Sequence, residues 1–376
     1  MPDYRFRFPL RLCVFASNLY DFGEQKALSL ARTEGRDYGE QFIQGLHMIS
    51  VRTIATRLAT IACRALTFAL LVAGPARAAG ELRPEKVADG VYAFVAETGE
   101  ISPANRGNVG NSGFIVGPTG VVVIDTGISY RHGRRMLAAI GRITAKPVEL
   151  VVVTHAVQEF LFGNAAFEEH SVPILAHSET AALMKARCAH CLDNLRPILG
   201  DELEGTRLVL SQRQVSGSTT IEAGGRMLEL LYLGWASTPG DLAVFDRVSG
   251  TLFAGGLVAV NRIPEMRDCD FEGWLHALET LRKLPVKRVV PGHGPVSGPE
   301  AITSTADYLR ALDTKIKALY ARSSSLLDSV DNAALPAYGD WAMYATTHRQ
   351  NALHRYLQLE IEELGGDPRS TALPQR

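Results

Sequence analysis

The chain has 376 residues, 46% hydrophobic and 21% charged, with a formal net charge of −1. That length and composition suffice for a full-sized core and exclude a fibre or a wholly disordered chain. With basic runs no longer than Arg134-Arg135 and Lys287-Arg288, no stripe is available to neutralise a phosphate backbone, so no nucleic-acid partner is expected.

In chain order, the first 78 residues stand apart. Met48 opens a segment carrying Arg52, Arg57 and Arg64 and no acidic residue; an apolar stretch, 65–74, and then Pro75-Ala76-Arg77-Ala78-Ala79 follow. A basic region, a short apolar region and an Ala-x-Ala site are the parts of a secretory signal peptide, and the apolar run is too short to span a bilayer stably. Because such a signal works near a nascent N-terminus, residues 1–47 read as an upstream mis-start extension and 48–78 as the signal peptide. The alternative is an uncleaved amphipathic helix. Cleavage removes ten basic and six acidic residues, leaving 29 basic and 34 acidic, a net charge of −5. The expected location is the periplasm, with no membrane span after cleavage.

From residue 87 short β-rich runs alternate with helical stretches. Strands are predicted at 91–96, 113–116 and 121–125, with turn punctuation at Gly117-Pro118-Thr119-Gly120. A helix at 130–144 has apolar spacing through Met136, Leu137, Ile140 and Ile143. The run 148–153, apolar apart from Glu149, suits a strand buried on both faces. A further strand at 172–176 precedes a helix at 178–195. Strands are then predicted at 207–210, 218–222, 227–233, 242–246, 251–254 and 288–290, and helices at 271–284, 299–321 and 348–364. No internal repeat or low-complexity linker appears. Two β-rich halves, each followed by helices, fit an α+β fold of αββα four-layer type. Residues 79–298 form its body, and the helical extension 299–376 is read as packed on the same domain, a subunit contact being the alternative.

Cys188, Cys191 and Cys269 remain after residue 78. In an oxidising compartment a Cys188–Cys191 disulfide is open to this sequence, as is a free pair. One Cys-x-x-Cys is half a zinc site, no second pair completes it, and redox use is the third reading. Leu192 stands where a haem attachment motif needs histidine. His132, His170, His276, His348 and His354 have no ligand-spaced partner and read as solvated surface; His177 reads as a cap or surface residue lining the cleft, and Asp241 as a turn or cap residue.

The motifs Asn111-Ser-Gly-Phe-Ile-Val-Gly, Val-Val-Val-Ile-Asp125-Thr126-Gly127, Thr154-His155 running to Gly163-Asn164, Leu252-Phe-Ala-Gly255 and Pro291-Gly-His293-Gly resemble, in order and spacing, the metallo-β-lactamase superfamily. The resemblance covers about 87–298 and is nearest to exported members found beside quinoprotein oxidation systems. It implies a four-layer sandwich and a pair of zinc-type ions, whose bridging hydroxide attacks ester, thioester or amide bonds. It also implies that Asp125, Gly163 and Asn164 support the site rather than bind metal.

Carried over position by position, the implied ligand set is depleted. His155 remains, but Val157 and Phe160 stand where histidines belong and Glu159 where aspartate belongs; Ser237 replaces a histidine, Gly256 the bridging aspartate, and His293 survives. Hydrocarbon offers a cation no lone pair. The site is therefore expected to hold either no metal or one divalent ion, zinc or iron, on His155, Glu159 and His293. The chain then reads as a divergent or inactive hydrolase, as a single-metal hydrolase, or as a pseudoenzyme binding a small molecule or a partner in the old cleft. A Ser237 nucleophile served by His155 or His293 is a weaker reading, because no Gly-x-Ser-x-Gly elbow is present.

Overall fold

A computed structural model describes residues 81–322 and 324–372. The segments 1–47 and 48–78, read above as an extension and a signal peptide, lie outside the described residues. The described elements belong to the unit 79–376.

Strands β1 (Glu85–Ala88), β2 (Val91–Phe94), β3 (Ser112–Val116) and β4 (Val121–Ile124) pair as an antiparallel meander, and β4 leads into helix α1 (Tyr130–Ile143). Next come β5 (Val148–Val152), two short helices, α2 (Gln158–Leu161) and α3 (Asn164–Glu168), then β6 (Ile174–His177), the long helix α4 (Ser178–Leu199) and β7 (Arg213–Val215). The strands β4 to β7 run parallel, so the first sheet has the order β1-β2-β3-β4-β5-β6-β7. The second sheet is built from β8 (Thr219–Ala223), β9 (Arg226–Tyr232), β10 (Leu242–Asp246), β11 (Thr251–Ala259) and, after helix α5 (Phe271–Arg282), β12 (Arg288–His293). Helices α6 (Glu300–Tyr320), α7 (Leu326–Asp331) and α8 (Arg349–Glu363) close the described chain. Among the described residues no helix is long and apolar enough to cross a membrane.

Side-chain alternation divides the apolar residues among three cores. Val122 and Ile124 of β4, with Leu150 and Val152 of β5, meet Leu228, Leu230, Val244 and Phe253 between the sheets. Val121, Val123, Val151 and Val153 point the other way, onto Met136 and Ile140 of α1 and Met184, Cys188 and Leu192 of α4. Ala243, Phe245, Leu252 and Ala254 on the outer face of the second sheet pack on Trp274 of α5, Leu309 and Leu312 of α6 and Leu359 of α8. Helix, sheet, sheet, helix is thus the layering, and it explains why β4 and the 150–152 part of β5 are apolar without alternation: both faces are covered.

Four expectations differ from the structure. No strand forms at 207–210. Its Val209 carbonyl accepts from the Asn164 side chain (3.3 Å) and Val209 is buried against α1 and α4, so the strand that joins β6 is β7, three residues further on. The edge strand β1, Glu-Lys-Val-Ala, is short and half exposed, and its two apolar residues are too few to mark a strand in sequence. His132 and His348 are buried, not solvated. His348 lies between the Tyr308 hydroxyl (3.0 Å) and the Ala333 carbonyl (3.1 Å), which ties α8 to α6.

His132 sits inside α1 at 1% exposure with neither ring nitrogen hydrogen-bonded. Burial, aided by the Arg135 charge, holds its pKa down to about 3. Folding therefore accommodates the neutral ring only; that stability is full above pH 6.5 and is lost as pH falls toward 3. Measured against His132→Leu by denaturant unfolding, the wild type should lose about 2.5 kcal/mol between pH 6.5 and 4.5, at about 1.4 kcal/mol per pH unit. A difference independent of pH would refute the burial of a neutral ring.

Candidate functional site

The residues singled out by sequence converge at one end of the sandwich, where β4, β5, β11 and β12 finish. Asp125 follows β4 in a left-handed conformation (φ 58°) at 2% exposure. One of its carboxylate oxygens accepts from the Thr154 backbone N–H and the other from the Thr154 hydroxyl, both at 2.8 Å. Burial raises its pKa to about 7 against the pull of those two bonds. The Thr154 oxygen also lies 2.7 Å from Nδ1 of His155. With the Thr154 proton given to Asp125, Nδ1 of His155 is the donor and Nε2 carries the lone pair.

The turn after β5 is locked by Gly163 and Asn164. A Cβ at 163 would collide with the Thr126 carbonyl. The Thr126 hydroxyl donates to the Asn164 side chain (2.9 Å), and the Thr126 N–H donates to the Phe160 carbonyl (2.7 Å). Asn111, at the start of β3, crosses to the other sheet: its amide donates to the carbonyls of Pro291 (2.9 Å) and Gly294 (2.7 Å), on either side of His293. Asn111 and Asp125 thus hold the two surviving histidines through the backbone.

Within the site the side chains do not share one centre. His293 Nε2 lies 3.3 Å from the Glu159 carboxylate. Burial alone would raise the Glu159 pKa, but the hydrogen bond and charge of His293 and the charge of Arg262 hold it down to about 2. His293 is held down to about 4, first by burial and then by Arg262, and His155 to about 3, first by burial. Phe160, fully buried, places its ring 4.3 Å from the His155 ring and 5.3 Å from that of His293. The Ser237 hydroxyl donates to Asp241 (2.9 Å), which also accepts from the Thr238 N–H (2.7 Å) and hydroxyl (2.9 Å). Ser237 is thus turned toward a capping carboxylate and not toward a histidine. A Cβ at Gly256 would lie 2.7 Å from Ser237 Oγ and 3.0 Å from His155 Nε2. Among the described residues no group of three or more His, Cys, Asp or Glu side chains is arranged to hold a metal ion.

His155, Glu159, Ser237, Gly256 and His293 line a pocket of about 520 Å³, counting its open mouth, that includes Val157, Ile263 and Pro264 and a residue the motifs did not reveal, Arg262. His177, expected as a cap or cleft residue, caps α4 by accepting from the Glu179 N–H (3.2 Å) and stacks on Tyr232 (3.9 Å between centroids), outside that lining. Cys188, buried on α4, and the half-buried Cys191 are free thiols, as is Cys269. The contact with Cys188 pulls the Cys191 thiol down to about 6 against burial, with help from Arg267.

The profile of the metallo-beta-lactamase superfamily matches residues 105–293, half of the chain and the whole of this site. The chain belongs to the metallo-β-lactamase superfamily. Among solved structures, the metallo-beta-lactamase from Pontibacter korlensis is 23% identical with a TM-score of 0.51, over 61% of this chain and 99% of that one. The enzyme from Hirschia baltica is 22% identical with a TM-score of 0.50, over 61% and 98%. At these identities the likeness establishes the superfamily sandwich. Superfamily metal centres commonly hold zinc; in this member the donors are distributed as described above.

Proposed function

We propose that this superfamily member uses its cleft to recognise a small molecule without a two-metal centre, and that it acts after export to the periplasm. The donor set does not fit a zinc pair. The observation that carries the reading is Phe160: a fully buried ring, 4.3 Å from the His155 ring and 5.3 Å from that of His293, stands where the superfamily pattern calls for a histidine ligand, and hydrocarbon offers a cation no lone pair. Three further features support it. Glu159 is engaged by His293, Ser237 by Asp241, and position 256 has neither a donor nor the room for one. The pocket nonetheless stays open and lined with polar groups, as a recognition site requires. Export rests on the segment 48–78 alone.

The test is metal content by elemental analysis of the purified chain from medium supplemented with zinc and iron, followed by melting in chelator. The expected result is substoichiometric metal and an unchanged melting temperature. An ion present at a hundred times its dissociation constant would stabilise the fold by about 2.7 kcal/mol, so its removal would be visible. One stoichiometric ion that disappears in His293→Ala would overturn this reading in favour of a single-metal hydrolase using His155, Glu159 and His293.

A further inference from the structure

We propose that Arg262 makes the pocket a receptor for a small monocarboxylate, whose carboxylate docks on the guanidinium while its apolar end lies along Val157, Ile263 and Pro264. This rests on the recognition reading given above.

Arg262 follows β11 and is 4% exposed, yet Nε and Nη1 are buried without a hydrogen-bond partner. An unmet donor on a buried charged group is costly, and a partner from outside the chain is one way for a fold to satisfy it. The neighbouring charges do not complete it. Glu159 is engaged by His293 at 3.3 Å. Asp268 is held by Arg187 at 2.8 Å and by Arg267 at 3.1 Å. Glu265, half exposed, approaches Nη2 only to 3.8 Å, beyond hydrogen-bond reach.

Arg262 is nonetheless rigidly presented. The Ala342 N–H donates to the Asn261 carbonyl (2.9 Å) and the Ile263 N–H to the Ala342 carbonyl (3.0 Å), flanking Arg262 on both sides. Asn351 of α8 clamps the same loop, accepting from the Met266 N–H (3.0 Å) and donating to the Pro264 carbonyl (2.7 Å). A planar guanidinium carried on a backbone fixed in this way matches a carboxylate in shape and charge. Glu159 and Glu265 stand close by, so a dianion such as phosphate meets more repulsion than a monoanion.

The experiment uses the full chain, with its metal content measured before and after chelation, and isothermal titration with propionate and benzoate, their amides, and inorganic phosphate. The carboxylates should bind and the amides and phosphate should not. Arg262→Gln should lose at least tenfold in carboxylate affinity with Arg262→Lys in between, and Glu265→Gln, at a half-exposed site, should tighten binding several-fold. Equal binding of acid and amide, tighter binding of phosphate, or indifference to both Arg262→Gln and Glu265→Gln would overturn the proposal. If Arg262→Gln does not fold, the Glu265→Gln arm decides. Stoichiometric metal before chelation would instead defeat the recognition reading. A metal-free chain that ignores carboxylates would defeat the Arg262 assignment alone.

Discussion

Gly256→Asp, the change that restores the bridging carboxylate implied by the superfamily, is expected to destabilise this chain by about 3 kcal/mol or more and to recruit no metal. The first methylene would already lie 2.7 Å from Ser237 Oγ and 2.9 Å from Cδ2 of His155. Neither neighbour yields freely. Ser237 is held by Asp241, and His155 is held through Thr154 by Asp125. Overpacking of this kind costs about 1–3 kcal/mol, and a carboxylate enclosed without a partner adds to that. Denaturant unfolding of wild type, Gly256→Ala and Gly256→Asp would check it, with the alanine variant intermediate. An aspartate variant as stable as wild type that takes up zinc would mean that the site still has metal-centre geometry.

Phe160→Ala is expected to cost about 3–5 kcal/mol, the range for removing a fully buried aromatic ring. The ring packs near both histidines, 4.3 Å from the His155 ring and 5.3 Å from that of His293. Its removal would leave a void beside both imidazoles. Measured by chemical denaturation, a loss below about 1 kcal/mol would mean that the ring is not wedged there and that the imidazoles can close up.

Much of the architecture could be read from residue patterns, because two faces of burial leave an apolar run without alternation. Val121 to Ile124 and Leu150 to Val153 show this directly, since each run feeds two cores. In the structure Asp125 and Asn164 make side-chain hydrogen bonds to neighbouring loops and Gly163 permits a close backbone approach, all of which constrain residue type strongly. The site's chemistry was less accessible. Substitutions at 157, 160, 237 and 256 identify missing donors but not what fills the space they vacate. That answer lies in three-dimensional contacts, such as Ser237 with Asp241 and Phe160 near both His155 and His293. Arg262 carries no motif, and its importance emerges only when its hydrogen bonds are counted in three dimensions. The same limit applies to His132 and His348, whose isolation in sequence resembles that of a surface histidine although tertiary packing encloses both.

The pocket wall bearing Arg262 is braced from behind by Ala342 and Asn351, both beyond residue 293, where the superfamily match ends. A domain boundary drawn at that point would keep all twelve strands but leave Trp274, Leu278 and Phe245 facing water in place of α6 and α8. The chain's last eighty residues thus act as a buttress, and any transplant of this cleft into another sandwich would have to carry them along.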